Sequence, residues 1–374
     1  YHLIEKSWTR TNNIFCPRRE DDDLMLTRVG THFPANWQYG PQEIEIIDKT
    51  SRQIEDKFGN ERNLLINTTW FGPQFGNGEW QKIEKLFEEN ARFDNLFFLS
   101  VIDPLYLMEK DISEMCVRFG IKETYRIGMF DAGKYEWNFH AIVGPDVMPK
   151  YKDEDVMLKE CNKDFLCYQR KPRPWRVDFA KLATDHNLVD NGIMTLGAMS
   201  EGDLDWSEGR TWEPMTLNES HEPYKHDGQN NKADYGGIPN DLVTVGSLAV
   251  WNQCLLYISS ETCFNHWEPV FVNERIWKPM IGLRPFIIQG NPKTYAWLEK
   301  NGFKTFNRYW PDIDLEHSVD VLNDHIKVLK FLASKSIEDK MSMYQDMLPD
   351  LIYNKQRFYE FSKEQKHKME NIFL

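Results

Sequence analysis

The sequence predicts an α/β protein made of doubly wound domains, and three features carry that expectation. Residues 255–258 and 285–288 are short, uninterrupted apolar runs, the pattern of parallel strands buried on both faces. Polar residues close each run, Ser259, Ser260 and Glu261 after the first, Gly290, Asn291 and Pro292 after the second. Helix-period stretches stand between the runs, so strand and helix alternate as in βαβ units.

Taken in chain order, residues 1–60 are polar and irregular, with an acidic cluster at 20–23 and turn signals at Pro34, Gly40 and Pro41. Residues 63–70 then read as a strand. The glycine-rich loop 72–78 follows, and after it a helix from about 79 with Trp80, Ile83, Leu86 and Phe87 on one face. The loop's spacing fits neither a dinucleotide fingerprint nor a Walker loop. Further strands are expected at 96–102, ending at Asp103, and around 125–130, ending at Asp131. Residues 145–163, with Pro145, Pro149 and a run of charges, read as a linker. Domain one is therefore placed at 1–150.

The second domain, 151–340, opens with Phe-Leu-Cys-Tyr at 165–168 as its first strand. That strand runs into Arg170, Lys171, Arg173 and Arg176 ahead of a helix bearing Val177, Phe179 and Leu182. Four cations between a strand and a helix start form the best anion site by composition, because helix N-terminal amides add to the cationic field. Residues 200–241 are rich in Gly, Asp, Asn, His and Trp and lack periodicity, as a lid over a bound substrate would. His221, Glu222, His226 and Asp227 within them lack a second ligand cluster, so no metal is expected. The region 257–306 reads as strand, loop, helix, strand, helix, strand, the last being Gly-Phe-Lys-Thr-Phe at 302–306. From about 320, Val321, Leu322, Ile326, Leu329 and Leu332 are spaced for the buried face of a helix. A long charged helix continues past Gln356. In open α/β sheets ligands bind beyond the carboxyl ends of the strands, which puts Glu261, Glu274 and Arg275 on one rim.

The order Ser-Ser-Glu-Thr with Glu261, then Phe-Val-Asn-Glu-Arg-Ile-Trp-Lys-Pro with Glu274, Arg275 and Lys278, then Arg-Pro-Phe-Ile-Ile-Gln-Gly, resembles the nucleotide-sugar motif of fucosyltransferase-like glycosyltransferases. It is similar also to glycosyltransferase-like proteins of bacterial viruses, including the Lys-Pro-Arg-Pro-x-Arg segment at 171–176 and Gly-Phe-Lys-Thr-Phe. The strong part of the match spans about fifty residues and carries Arg275 where Lys is usual; both neutralise phosphate, and Arg adds a bidentate fork. The resemblance implies a GT-B fold, two Rossmann-like domains facing across a cleft, with a C-terminal helix (341–374) packing back on the first domain. It implies a metal-independent, inverting transfer of a hexosyl or fucosyl group from a nucleoside diphosphate sugar, with no cofactor. The donor would be held by Glu261, Glu274, Arg275, Lys278, Arg176 and Arg170, Arg176 being the preferred phosphate ligand. Inversion needs a general base, for which Asp103, Asp131 and His140 stand unranked. The glycine-rich loop falls on the acceptor side. The acceptor hydroxyl stays open among glycans, lipid-linked sugars, protein side chains and modified bases. A binding protein without turnover, or a virion or assembly component with a vestigial cleft, are the other classes.

Composition bounds these readings. The 374 residues and 41% hydrophobic content suffice for two cores. A net charge of −13 disfavours non-specific binding to nucleic-acid phosphate. The six cysteines lack zinc spacing and are sparse for a disulfide scaffold, so reduced thiols in a cytoplasm are expected. Asn67-Thr68-Thr69 and Asn218-Glu219-Ser220 match glycosylation sequons by chance on that reading. No apolar run reaches the roughly 18 residues that a membrane span needs.

Overall fold

The computed structural model describes residues 13–15, 49–50, 52–54, 56–58, 63–68, 88, 94–100, 109–121, 123–128, 135–169, 173–196, 244–261, 264, 270 and 272–372. The chain is mixed α/β and divides into two compact units, Tyr1–Ile142 with Lys363–Leu374, and Val143–Ser362.

Unit 1 is built on a five-stranded sheet: β1 (Asn13–Phe15), β2 (Asn63–Thr68), β3 (Asn95–Ser100), β4 (Glu123–Gly128) and β5 (Tyr135–Glu136). The strands lie in sequence order; β1 is antiparallel to β2 and the rest are parallel. Helix α1 (Glu109–Phe119) leads into β4, and α2 (Phe139–Val147) follows β5. On one face Phe97 and Tyr125 stack at 4.6 Å, with Phe58 tilted against both. Because the described strands step in one direction, their order shows no reversal, and double winding is not seen in this unit. Asp103, Asp131, Trp70 and the glycine-rich loop lie outside the described residues. His140 is the second residue of α2, where the backbone alone is described.

Unit 2 holds a four-stranded parallel sheet of order β7-β6-β8-β9: β6 (Lys163–Gln169), β7 (Ile193–Leu196), β8 (Cys254–Ser260) and β9 (Phe286–Gln289). The chain goes from β6 outward to β7, then returns across β6 to β8. That reversal is the signature of double winding, and it places a topological switch point between β6 and β8. Every residue of β7, β8 and β9 is buried, as continuous apolar runs require. Helices α3 (Asp153–Val156), α4 (Pro174–Asp185) and α5 (Leu248–Trp251) come before β8. Helices α6 (Glu274–Ile281), α7 (Lys293–Lys300), α8 (Val321–Ala333) and α9 (Ile337–Glu370) follow it.

Residues 145–163 pack within unit 2. Leu158 N–H donates to the Tyr344 hydroxyl, and Lys355 holds the Tyr151 carbonyl and the Asp153 carboxylate at 2.7 Å each. Arg284, only 1% exposed, joins several elements here. Its Nε donates to Cys254 O, its Nη1 to Val156 O and Leu283 O, and its Nη2 to Trp251 O, all within 2.9 Å. Gly192 precedes β7 because a Cβ there would lie 2.3 Å from the Phe165 ring.

One expected strand is absent. Residues 302–306 run as irregular chain, with Phe303 and Phe306 buried. The backbone of Lys304 pairs with a side chain instead of a neighbouring strand: Asn354 Oδ1 accepts from Lys304 N, and Asn354 Nδ2 donates to Lys304 O, both at 2.8 Å. Asn354, on α9, is itself fully buried. The aromatic side of that helix, Phe358 and Phe361, closes over Trp277 and Phe303.

Candidate functional site

The site is built where β6, β8 and β9 end. Ser260 pairs with Gln289 in register, and the pairing of Leu166 with Tyr257 brings Gln169 level with Ser260 on the other side. Three adjacent strands therefore finish on Gln169, Ser260 and Gln289, all buried. Arg176 reaches this row from the first turn of α4, whose start is set by Pro174 after an extended Arg173.

A guanidinium only donates, so the direction of every bond in the row follows from Arg176. Its Nε donates to Ser260 Oγ at 3.1 Å; the serine passes its own hydrogen to Gln289 Oε1 at 2.5 Å; Gln169 Nε2 donates to that same oxygen at 3.2 Å. Gln169 Oε1 and Gln289 Nε2 have no hydrogen-bond partner among the described residues. Arg176 Nη2 also holds the carbonyls of Ser260 and Glu261 at 2.9 Å each, and so fixes the chain where it leaves β8.

Glu261 is 1% exposed. Its Oε1 accepts from Ser259 Oγ and its Oε2 from Asn273 Nδ2, both at 2.7 Å. Asn273 is in turn the N-cap of α6, where its Oδ1 accepts from Arg275 N at 2.9 Å. The carboxyl thus orients the residue that starts the helix. Pro279 removes the bond to the Arg275 carbonyl, but α6 ends two residues later, so the loss falls in its last turns. Arg275 lies beside Glu274, Nη1 to Oε1 at 3.6 Å, and its side chain keeps 18% of its surface exposed.

The charges at this end of the sheet act on one another. Burial pushes the Glu261 carboxyl up to about 7; Arg275, the Ser259 hydroxyl and Arg176 pull it down, while Glu274 raises it. Burial also lowers Arg176 to about 9, and repulsion from Arg275 and Arg173 lowers it further. Arg176 therefore lies in the fields of two further guanidinium groups, and Arg173 and Arg176 are more than nine-tenths buried. Beside them Trp175, from the start of α4, stacks on Phe264 with centroids 5.4 Å apart, and its Nε1 has no partner among the described residues.

The structure thus brings together Arg176, Glu261, Glu274 and Arg275. Lys278 lies on the same helix as the last two, 4% exposed. Arg170 lies outside the described residues, as do His221, Glu222, His226, Asp227 and the rest of 200–241. Among the described residues no group of His, Cys, Asp or Glu is arranged to hold a metal ion, and no helix is long and apolar enough to cross a membrane. Gln169, Gln289 and Asn273 were not anticipated. The signal available for the first two was a lone polar residue closing each apolar run; for Asn273 it was an N-cap residue directly before a helix.

No family model, no curated protein and no solved structure matches the chain.

Proposed function

We propose that the chain is a glycosyltransferase that takes its sugar from a nucleoside diphosphate donor, in the GT-B manner, with unit 2 holding the donor. The observation that carries this reading is the gathering of Arg173, Arg176 and Arg275 at the switch point of the unit 2 sheet, beside the N-terminus of α6. Clustered guanidiniums repel one another, and burial deprives them of water, so an anion is the ligand that this arrangement favours. Diphosphate departure accumulates negative charge, which fixed cations and helix N-terminal amides stabilise without reorganising.

In this reading the residues divide the work. Arg275, the more exposed of the cluster, meets the phosphates; Arg176, committed to Ser260 and the Glu261 carbonyl, holds the loop that shapes the site. Glu274 accepts from ribose hydroxyls, and Trp175 with Phe264 offers an apolar wall. Inversion needs a base to take the proton of the acceptor hydroxyl, for which Asp103, Asp131 and His140 are the candidates. The test is a panel of nucleoside diphosphate sugars read by thermal unfolding, followed by transfer assays with the donor that binds. A ligand at 100 times its Kd adds about 2.7 kcal/mol of stability. No shift from any member would remove the reading, and binding without transfer or hydrolysis would leave a nucleotide-binding protein.

A further inference from the structure

The arrangement around Glu261 has a second property, which rests on the reading that an anion binds beside Arg275. The carboxyl is enclosed, and among the described residues the charged and titratable groups acting on it are Arg275 and Glu274 from α6 and Arg176 from α4, with the Tyr257 phenol on its own strand. Arg275 contributes the largest favourable field at Glu261 and also pairs with Glu274. An anion that engages Arg275 therefore takes from Glu261 the charge that best offsets its burial. A proton on Glu261 removes the negative charge that Arg275 then no longer offsets.

Glu261 is built to receive that proton. Asn273 Nδ2 only donates to Oε2, so a proton cannot sit there without losing that bond. Oε1 faces the Ser259 hydroxyl, which both donates and accepts. On protonation the Oε1–H bond forms, the Ser259 hydroxyl rotates its hydrogen away, and Ser259 Oγ becomes the acceptor at the same 2.7 Å separation. The proton comes from solvent; the Ser259 hydrogen gives up its bond to Oε1, and the bond from Asn273 is unchanged. Asn273 keeps its orientation, so the cap of α6 survives the change. We infer that anion binding at Arg275 is coupled to uptake of one proton by Glu261, which makes the site hold its anionic ligand more tightly in acid than in base.

The sign follows from linkage. A site that binds a proton together with its ligand loses affinity by about tenfold per pH unit above the point where the free carboxyl ionises. Folded Glu261 holds its proton up to about 7, so the loss falls between pH 7 and 8. Glu261→Gln imitates the protonated form: the new amide donates to Ser259 Oγ, and its oxygen still accepts from Asn273 Nδ2. The probe is inorganic pyrophosphate, measured by titration calorimetry at pH 6, 7 and 8 in buffers of different ionisation enthalpy. Because pyrophosphate itself titrates, the quantity read is the difference between the native protein and Glu261→Gln.

The inference expects the native protein to take up more protons than the variant at pH 7.5, by a number approaching one. It also expects the native affinity to fall about fivefold more than the variant's between pH 7 and 8. In the native protein, the infrared band of a protonated carboxyl should grow on adding pyrophosphate at pH 7.5, a readout that does not depend on the variant folding. Equal proton uptake and equal pH slopes, or no gain in that band, overturn the inference and leave the anion site standing. Absence of pyrophosphate binding to the native protein at every pH overturns both.

Discussion

Replacing Arg284 by methionine tests how unit 2 is held together. The side chain is 1% exposed and serves the carbonyls of Val156, Trp251, Cys254 and Leu283. These belong to the end of α3, the end of α5, the first residue of β8 and the turn before β9, so one guanidinium closes backbone ends on four segments. Four bonds from a charged donor, at about 1.5–3 kcal/mol each, are lost in Arg284→Met. Against this, burial lowers the group from 12.5 to about 10, an unfavourable contribution on the order of 3 kcal/mol that methionine relieves. The net loss is therefore about 3 kcal/mol or more. At roughly 2–4 °C per kcal/mol for a unit of this size, the unfolding midpoint should fall by about 6 °C at least. Arg284→Lys, with three donors on a shorter reach, should fall between. Differential scanning calorimetry measures all three. A methionine variant within about 1 °C of the native protein would show that the carbonyls find other partners and that Arg284 is not the joint described.

Three other outcomes are expected. Folded Glu261 keeps its proton up to about 7 against an ordinary value of 4.5, so the stability it contributes is full below about pH 4.5 and is lost as pH rises through 7. The loss is on the order of 3 kcal/mol, and urea titrations from pH 5 to 8 should show it in the native protein and not in Glu261→Gln. Asn354→Leu leaves both polar groups of Lys304 unpaired and should destabilise unit 2 by about 2–5 kcal/mol, read as a drop in the urea midpoint; an unchanged midpoint would mean that water replaces the amide. Arg275→Ala should weaken nucleoside diphosphate binding by about 1.5–3 kcal/mol, with Arg275→Lys recovering part and EDTA changing neither value; calorimetric Kd values check each.

What the sequence made legible follows the strength of local signals. The apolar runs of β8 and β9 and the strand and helix on either side of Arg176 were readable because burial on both faces forces continuous hydrophobicity. The polar close of the β8 run, Ser259 to Glu261, was readable from the break in hydrophobicity, although the fold buries all three. The order β7-β6-β8-β9 was not readable, since strand adjacency is decided by crossovers that no local pattern encodes. Residues 302–306 were misread because Phe303 and Phe306, both buried but three positions apart, do not have the alternation of a strand, and the partner of the Lys304 backbone lies fifty residues away in Asn354. Arg284 has no local signature at all: an arginine before Pro285 reads as surface until the carbonyls of Val156, Trp251 and Cys254 are seen to converge on it. The same holds for the direction of the Arg176–Ser260–Gln289 row, which is a property of three strands in register.

The central claim is that the ends of β6 and β8 and the start of α6 form a diphosphate site. A crystal structure of the protein with the nucleoside diphosphate that raises its unfolding temperature most tests it directly. The account expects the terminal phosphate within hydrogen-bonding distance of the Arg275 guanidinium and of the first amides of α6, with Arg176 still bonded to Ser260 and the Glu261 carbonyl. A nucleotide bound elsewhere, with Arg275 paired only to Glu274, would contradict it.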